Sequence, residues 1–367
     1  MPVPLDEFPI HQVPLSMRHV ATSDRNFFDR WYFNAHDRSG GVFLITGLGV
    51  YKNVGVIDAF ATVRVGDRQF TVRSSDAYEN GMLDAVVGPL RVEVIEPLQK
   101  IRVVCDAADR GIGFDLTWEG SFPCVDEARH LVHLGPRVIM DSWRYAQVGS
   151  WAGTLHVDGT DMTVDPSVWM GTRDRAWGIR PTAEAEPHGR VHAETPPEGF
   201  WWVYVPLRFD DFMLMVIIQE DPDGNRTLNE ATRVFADGRH EQLGWPEIDI
   251  TYRSGTRHPE RAVIHMRDRQ RKPVTVEVET LGSVALNTGA GYNDPDWKHG
   301  QWMGRSWVDS RAYDLTDPAI AARGPFGVVD HVARVTCNGA PGWGMFEHAT
   351  IGRHDPTGMT DFTSVAP

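Results

Sequence analysis

Apolar and polar positions alternate with a period of two along most of the chain, the signature of strands with one packed face. Residues 57–65 alternate, Gly66-Asp67 reverses the chain, and residues 69–73 resume the pattern. Leu90–Glu96 and residues 101–105 follow on either side of Pro97, and residues 154–157 return through Asp158-Gly159 into residues 162–164. Residues 200–207 and Phe212–Glu220 read as buried strands, and residues 248–252, 262–267 and 274–281 as further strands. Dipeptides such as Asp223-Gly224 and Asp237-Gly238 tolerate the positive φ of tight turns and mark hairpins. One short helix is predicted over residues 317–322, capped by Thr316, with Pro318 in its first turn and Gly324 at its end. Short strands with frequent turns, and no apolar stripe at helical spacing, predict an all-β chain forming antiparallel sandwiches or barrels.

The rhythm breaks once. Residues 181–199 hold four prolines, four glutamates and two histidines with little apolar content, the composition of a connecting segment. At 367 residues the chain is too long for one ordinary core, so two halves are expected: 1–185 and 200–367, joined by a linker or long loop over 186–199.

Composition narrows the function classes. The formal net charge of −14, with no uninterrupted basic run, argues against a nucleic-acid or anionic-membrane partner. The best basic cluster, Arg267 to Lys272, reads as a solvated hairpin end. Three cysteines, Cys105, Cys124 and Cys337, cannot form a disulfide framework and suit a reducing compartment. The opening residues carry Asp6, Glu7 and repeated prolines where a signal peptide needs a basic region and an apolar run. No apolar run is long enough to span a bilayer, so a cytoplasmic location is expected.

Three segments concentrate chemistry. The first, Gly171-Thr172-Arg173-Asp174-Arg175-Ala176-Trp177-Gly178-Ile179-Arg180, gathers three arginines, one carboxylate and an indole, able to clamp an oxyanion or to close a barrel end as a plain ion pair. The second, residues 291–305, joins Tyr292, Asp294, Asp296, Trp297, His299 and Trp302; His299 suits proton transfer, or a backbone hydrogen bond in an Asp-Pro turn. In the third, residues 342–349, alternation sets Trp343, Met345 and Glu347 on one face and Phe346 and His348 on the other. Asn34-Ala35-His36-Asp37 with Gly40-Gly41 reads as a turn entering a strand. The pairs His130/His133 and His188/His192 are isolated, Gly47-Leu48-Gly49 lacks the rest of a dinucleotide fingerprint, and no Gly-x-Ser-x-Gly elbow occurs. No metal and no cofactor are therefore expected.

The run 171–178 resembles the Asp-His-Asn-Trp-Gly motif of the carotenoid hydratase and AttH-type group of calycin proteins. Asp174, Trp177 and Gly178 match that motif, while Arg175 and Ala176 replace its His and Asn. Residues 33–37, 294–304 and 344–352 are similar to an uncharacterised bacterial branch of the group. The resemblance implies two consecutive lipocalin-like antiparallel β-barrels with a hydrophobic cavity near their junction. It also implies relatives that hydrate isoprenoid double bonds or cyclise flexible substrates, with the motif Asp protonating an alkene. Arg175 would lower the pKa of an adjacent acid, the wrong direction for that role.

The expected function is a cofactor-independent hydro-lyase or isomerase acting on a hydrophobic small molecule: an isoprenoid, a steroid or a phenylpropanoid-like compound. Asp174 and His299 are the catalytic candidates. Arg173, Arg175, Trp177, Tyr292, Trp302, Glu347 and His348 are the substrate-binding candidates. The alternatives are a cyclase that works by shape and a non-enzymatic carrier of a hydrophobic ligand.

Overall fold

A computed structural model describes residues 2–10, 19–79, 83–182 and 198–367. The expected all-β architecture is present as two curled antiparallel sheets. The first is built outward from the adjacent strands Phe27–His36 and Met170–Ile179. Val42–Tyr51, Val56–Val65 and Arg68–Ala77 continue on one side, and Arg137–Val157, Ile112–Gly120, Lys100–Ala107 and Leu90–Glu96 on the other. The second centres on Gly199–Arg208 and Ala340–Gly352, flanked by Phe212–Glu220 and Arg226–Phe235 on one side. Val329–Cys337, Pro273–Ala285, Pro259–Arg267 and Glu247–Tyr252 complete it on the other.

The alternation read from the sequence becomes a division of labour between faces. Along Phe27–His36, Trp31, Phe33 and Ala35 enter the core inside the first sheet, with Trp118, Trp151 and Leu116. Along Gly199–Arg208, Trp201, Val203, Val205 and Leu207 fill the core inside the second. The opposite faces of the same strands pack against each other through Tyr32, Phe43, Ile45, Trp202, Tyr204, Met215 and Met345. Fully burying each aliphatic or aromatic side chain contributes about 1.5–3 kcal/mol, so this shared layer holds the two sheets together.

One strand crosses the divide. Trp307–Asp314, from well beyond residue 200, pairs antiparallel with Arg68–Ala77 and forms an edge of the first sheet. The loop leading to it is pinned to that sheet: Gly300 N–H donates to Asp58 Oδ2 at 2.6 Å, and Asp294 lies 3.8 Å from the buried Arg73 guanidinium. Asp294 also accepts the Gly289 and Asp296 N–H groups at 2.6 and 2.9 Å, the self-bonded turn its Asp-Pro sequence suggests.

Local expectations fare unevenly. The helix forms over Pro318–Ala321 with Asp317 as its cap, because the Thr316 hydroxyl bonds back to Asp314 at 2.6 Å. Asn34 and His36 belong to the strand Phe27–His36, and the turn begins only at Asp37. The basic cluster does end a hairpin, where Asp268 accepts the Gln270 and Lys272 N–H groups. All three cysteines are buried and free. Most of the proposed connecting segment, with His188 and His192, lies outside the described residues. No helix among the described residues is long and apolar enough to cross a membrane.

Candidate functional site

Between the two sheets lies a cavity of about 300 Å³. Its first wall is polar. Phe28, Arg30 and Tyr32 face it from one strand, Ser142 and Arg144 from another, and Asp174 and Ala176 from the strand between them. Its second wall is aromatic: Phe200, Trp202 and Tyr204 stand at successive inward positions, the first pair 6.1 Å apart and the second pair with nearly parallel rings at 6.1 Å. His130 extends this stack over Trp202 at 5.5 Å, and the Arg144 guanidinium sits 4.3 Å from the centre of the Tyr204 ring. The crossing loop closes one end with Tyr292 and His299, and Met345 and Glu347 enter from the strand Ala340–Gly352.

Asp174 is the least restrained acid of the cavity. Among the described residues it makes no direct hydrogen bond or ion pair. Burial pushes its carboxyl above its ordinary value; the charges of Arg144 and Arg30 restrain the rise, and Glu347 adds to it. Arg144 is itself held by Glu127, which also accepts the Tyr204 hydroxyl at 2.9 Å and is pushed up to about 7 by burial. Opposite, Trp202 Nε1–H donates to Glu347. Behind Glu347, Asp330 is held well above the usual carboxylate range by burial and by Glu347, and accepts the Tyr32 hydroxyl.

His299 forms a second proton-handling group. Its Nδ1 lies 3.8 Å from Asp58 Oδ1, and neither ring nitrogen makes a well-aligned hydrogen bond among the described residues. Burial, then the charges of Arg30 and Arg180, keep the imidazole neutral, well below its ordinary pKa. Burial pushes Asp58 up to about 7 despite the Gly300 N–H bond. The ring is wedged between Tyr292, Trp297 and Phe60, with centroids 4.9, 5.0 and 5.3 Å away.

Four of the residues singled out in the sequence meet here: Asp174, His299, Tyr292 and Glu347. The other five do not. Arg173 and Arg175 flank Asp174 in sequence, so the period of the strand turns both to the opposite face. There Arg173 Nη1 and Nη2 donate to Glu7 at 2.7 and 3.0 Å, and Arg175 donates to Asp29 at 2.6 Å while lying over Trp31. Arg175 therefore does not depress Asp174 in the way adjacency alone suggests. Trp177 packs edge-on to Tyr145 on that side, Trp302 is 47% exposed away from the cavity, and His348 bonds to the Trp202 carbonyl and Tyr252 within the second sheet's interior. Gly178 has a steric reason: at φ +128°, a Cβ would stand 2.1 Å from the Asp141 carbonyl oxygen.

Sequence reasoning missed Arg30, Tyr32, Arg144, Trp202 and Tyr204, while Arg180, the last residue of the first candidate segment, does line the cavity. The strand Phe27–His36 carried a signal: Phe28, Arg30, Tyr32 and Asn34 recur at every second position of a wholly buried strand, more polarity than packing needs. Among the described residues no group of three or more His, Cys, Asp or Glu side chains is placed to hold a metal ion.

Comparison with known proteins places the fold. A crystal structure of a protein provisionally assigned as AttH, from Nitrosomonas europaea, superposes with a TM-score of 0.55 at 13% identity, covering 93% of this chain and 98% of that one. Kievitone hydratase from Nectria haematococca gives 0.49 at 15% identity, covering 87% and 88%, and CghA gives 0.48 at 13% identity, covering 89% of each chain. No curated protein sequence matches the chain. Residues 3–360 match the model of a family described as a family of unknown function (DUF8625).

Proposed function

Because the chain belongs to that family of unknown function, we propose an activity from its own cavity: proton transfer to and from carbon in a hydrophobic small molecule, as a hydro-lyase or isomerase. The observation that carries this reading is Asp174, a carboxyl without a direct partner among the described residues, raised above its ordinary pKa and facing an aromatic wall across a 300 Å³ cavity. A carboxyl restrained only through space can change protonation without breaking a hydrogen-bond network, which a general acid or base requires. Arg144 tempers its pKa so that the carboxylate remains accessible. Trp202 and Tyr204 present ring faces that bind flat apolar carbon and stabilise positive charge developing there. His299, neutral and facing the same space, is placed to receive or return a second proton at the other end of the substrate. In an isomerisation Asp174 removes a proton from one carbon and returns that same proton to another, ending ionised as it began. In a dehydration Asp174 takes the proton from carbon and hands it to the departing hydroxyl, which leaves as water.

The test starts from the ligand. Organic extraction of the purified protein and mass spectrometry identify what the cavity retains. Incubating that compound with the protein in D2O then reads out proton transfer. Deuterium on carbon, or a change in mass equal to one water, is expected. An unchanged compound, bound tightly but carrying no deuterium, contradicts the enzymatic reading and makes the protein a carrier.

A further inference from the structure

At the Tyr292 end of the cavity, two guanidinium groups face a space where no carboxylate of the described residues contacts them. Arg30 is only 3% exposed, yet it lines the cavity and its Nη1 has no hydrogen-bond partner. Its Nη2 donates to the Tyr292 hydroxyl at 2.8 Å, which leaves the hydroxyl's own proton free to point elsewhere. The Arg180 guanidinium makes no hydrogen bond or ion pair among the described residues, and is held only by the faces of Phe28 and Tyr292, 4.9 and 5.3 Å from their ring centres. The third arginine of the cavity, Arg144, differs because Glu127 neutralises it directly. Two buried like charges repel, and Arg30 indeed disfavours the charged form of Arg180. A fold that keeps such a pair with donors unfilled has a preorganised place for an anion.

We infer that the Arg30–Arg180–Tyr292 end of the cavity is a subsite for a carboxylate borne by the hydrophobic ligand. Two planar guanidiniums and one hydroxyl converge there, the donor set that takes both oxygens of a carboxylate at once. Phe28 and the aromatic wall cover the apolar body of the same molecule. The subsite rests on the cavity assigned above as the substrate site. It orients the ligand with its acid group at Arg30 and Arg180 and its carbon skeleton toward Asp174 and Trp202. The ligand class is therefore an apolar acid rather than a plain hydrocarbon or alcohol.

The experiment uses 2-naphthoate and its neutral counterpart 2-naphthamide as probes, titrated calorimetrically into the full chain at neutral pH. The acid is expected to bind at least about tenfold more tightly than the amide, the weight of one charge-assisted bidentate contact. Arg180→Gln should reduce that preference to about twofold or less, by weakening 2-naphthoate more than 2-naphthamide, and Arg180→Lys should retain part of it. Equal affinities in the wild-type protein, absence of 2-naphthoate binding, or a preference that survives Arg180→Gln would overturn the subsite. The titration involves no turnover, so it stands or falls separately from the deuterium test of proton transfer.

Discussion

The glutamate at position 7 is expected to stabilise the first sheet from beneath, and its removal separates structural arginines from functional ones. Glu7 is fully buried. Its carboxylate accepts from Arg173 Nη1 and Nη2 at 2.7 and 3.0 Å, Leu98 N–H at 2.8 Å and Trp31 Nε1 at 3.2 Å. Glu7→Gln keeps the shape but turns an amide NH2 toward these donors and leaves Arg173 charged without a counter-ion. Removing one member of a buried ion pair costs about 3–5 kcal/mol. With an unfolding entropy of about 2 cal/mol/K per residue, a chain of 367 residues should lose about 4–7 °C in Tm. Burial raises the Glu7 carboxyl, but Arg173, with Arg175 and the Leu98 N–H, pulls it below its ordinary value of 4.5. A depressed carboxylate contributes stability above that value and loses it as the pH falls through the folded-state pKa. The gap between wild type and Glu7→Gln should therefore be full at neutral pH and narrow in acid. Differential scanning calorimetry across that range reads both quantities. A fall in Tm below about 1 °C at neutral pH would refute the reasoning, because it would mean Arg173 keeps its charge satisfied elsewhere.

Two further substitutions probe the crossing loop. Burial raises Asp58 from 3.8 to about 7, so stability is lost as the pH climbs between those two values and the loss is complete above about 7; the Tm of Asp58→Asn relative to wild type should therefore rise across that interval and level off above it, checked by thermal melts at a series of pH values. Gly291 has φ +82° and a Cβ there would lie 2.5 Å from the Trp297 ring and 2.9 Å from His299 Cε1, so Gly291→Ala should weaken 2-naphthoate binding by roughly tenfold with an unchanged far-UV circular dichroism spectrum.

The sequence made the sheets legible and the site only half so, for one physical reason. Strand identity follows from local alternation, and runs such as Phe212–Glu220 appear with their observed bounds. Facing requires the phase of that alternation as well. Grouping Arg173, Asp174 and Arg175 as one cluster ignored the phase, and the strand places the acid in the cavity and both arginines behind it, on Glu7 and Asp29. Applied to residues 342–349, the same phase correctly separated Glu347 from His348. What no local pattern carries is the long-range meeting of elements. Arg30 reaches Tyr292 across 262 positions, and Trp307–Asp314 leaves the second half to complete the first sheet, because burying the exposed edge beside Arg68–Ala77 outweighs chain proximity.

Whether Asp174 moves protons is tested most directly by Asp174→Asn, with turnover of the retained ligand and melting temperature measured on the same preparation. Asp174 has no direct partner among the described residues to lose and its charged form is disfavoured by burial, so the substitution should leave Tm within about 2 °C of wild type. Deuterium incorporation or water transfer should fall by at least about a hundredfold, the contribution of a positioned acid or base. Wild-type turnover per folded molecule, accompanied by a large fall in Tm, would contradict the account and return Asp174 to a structural role.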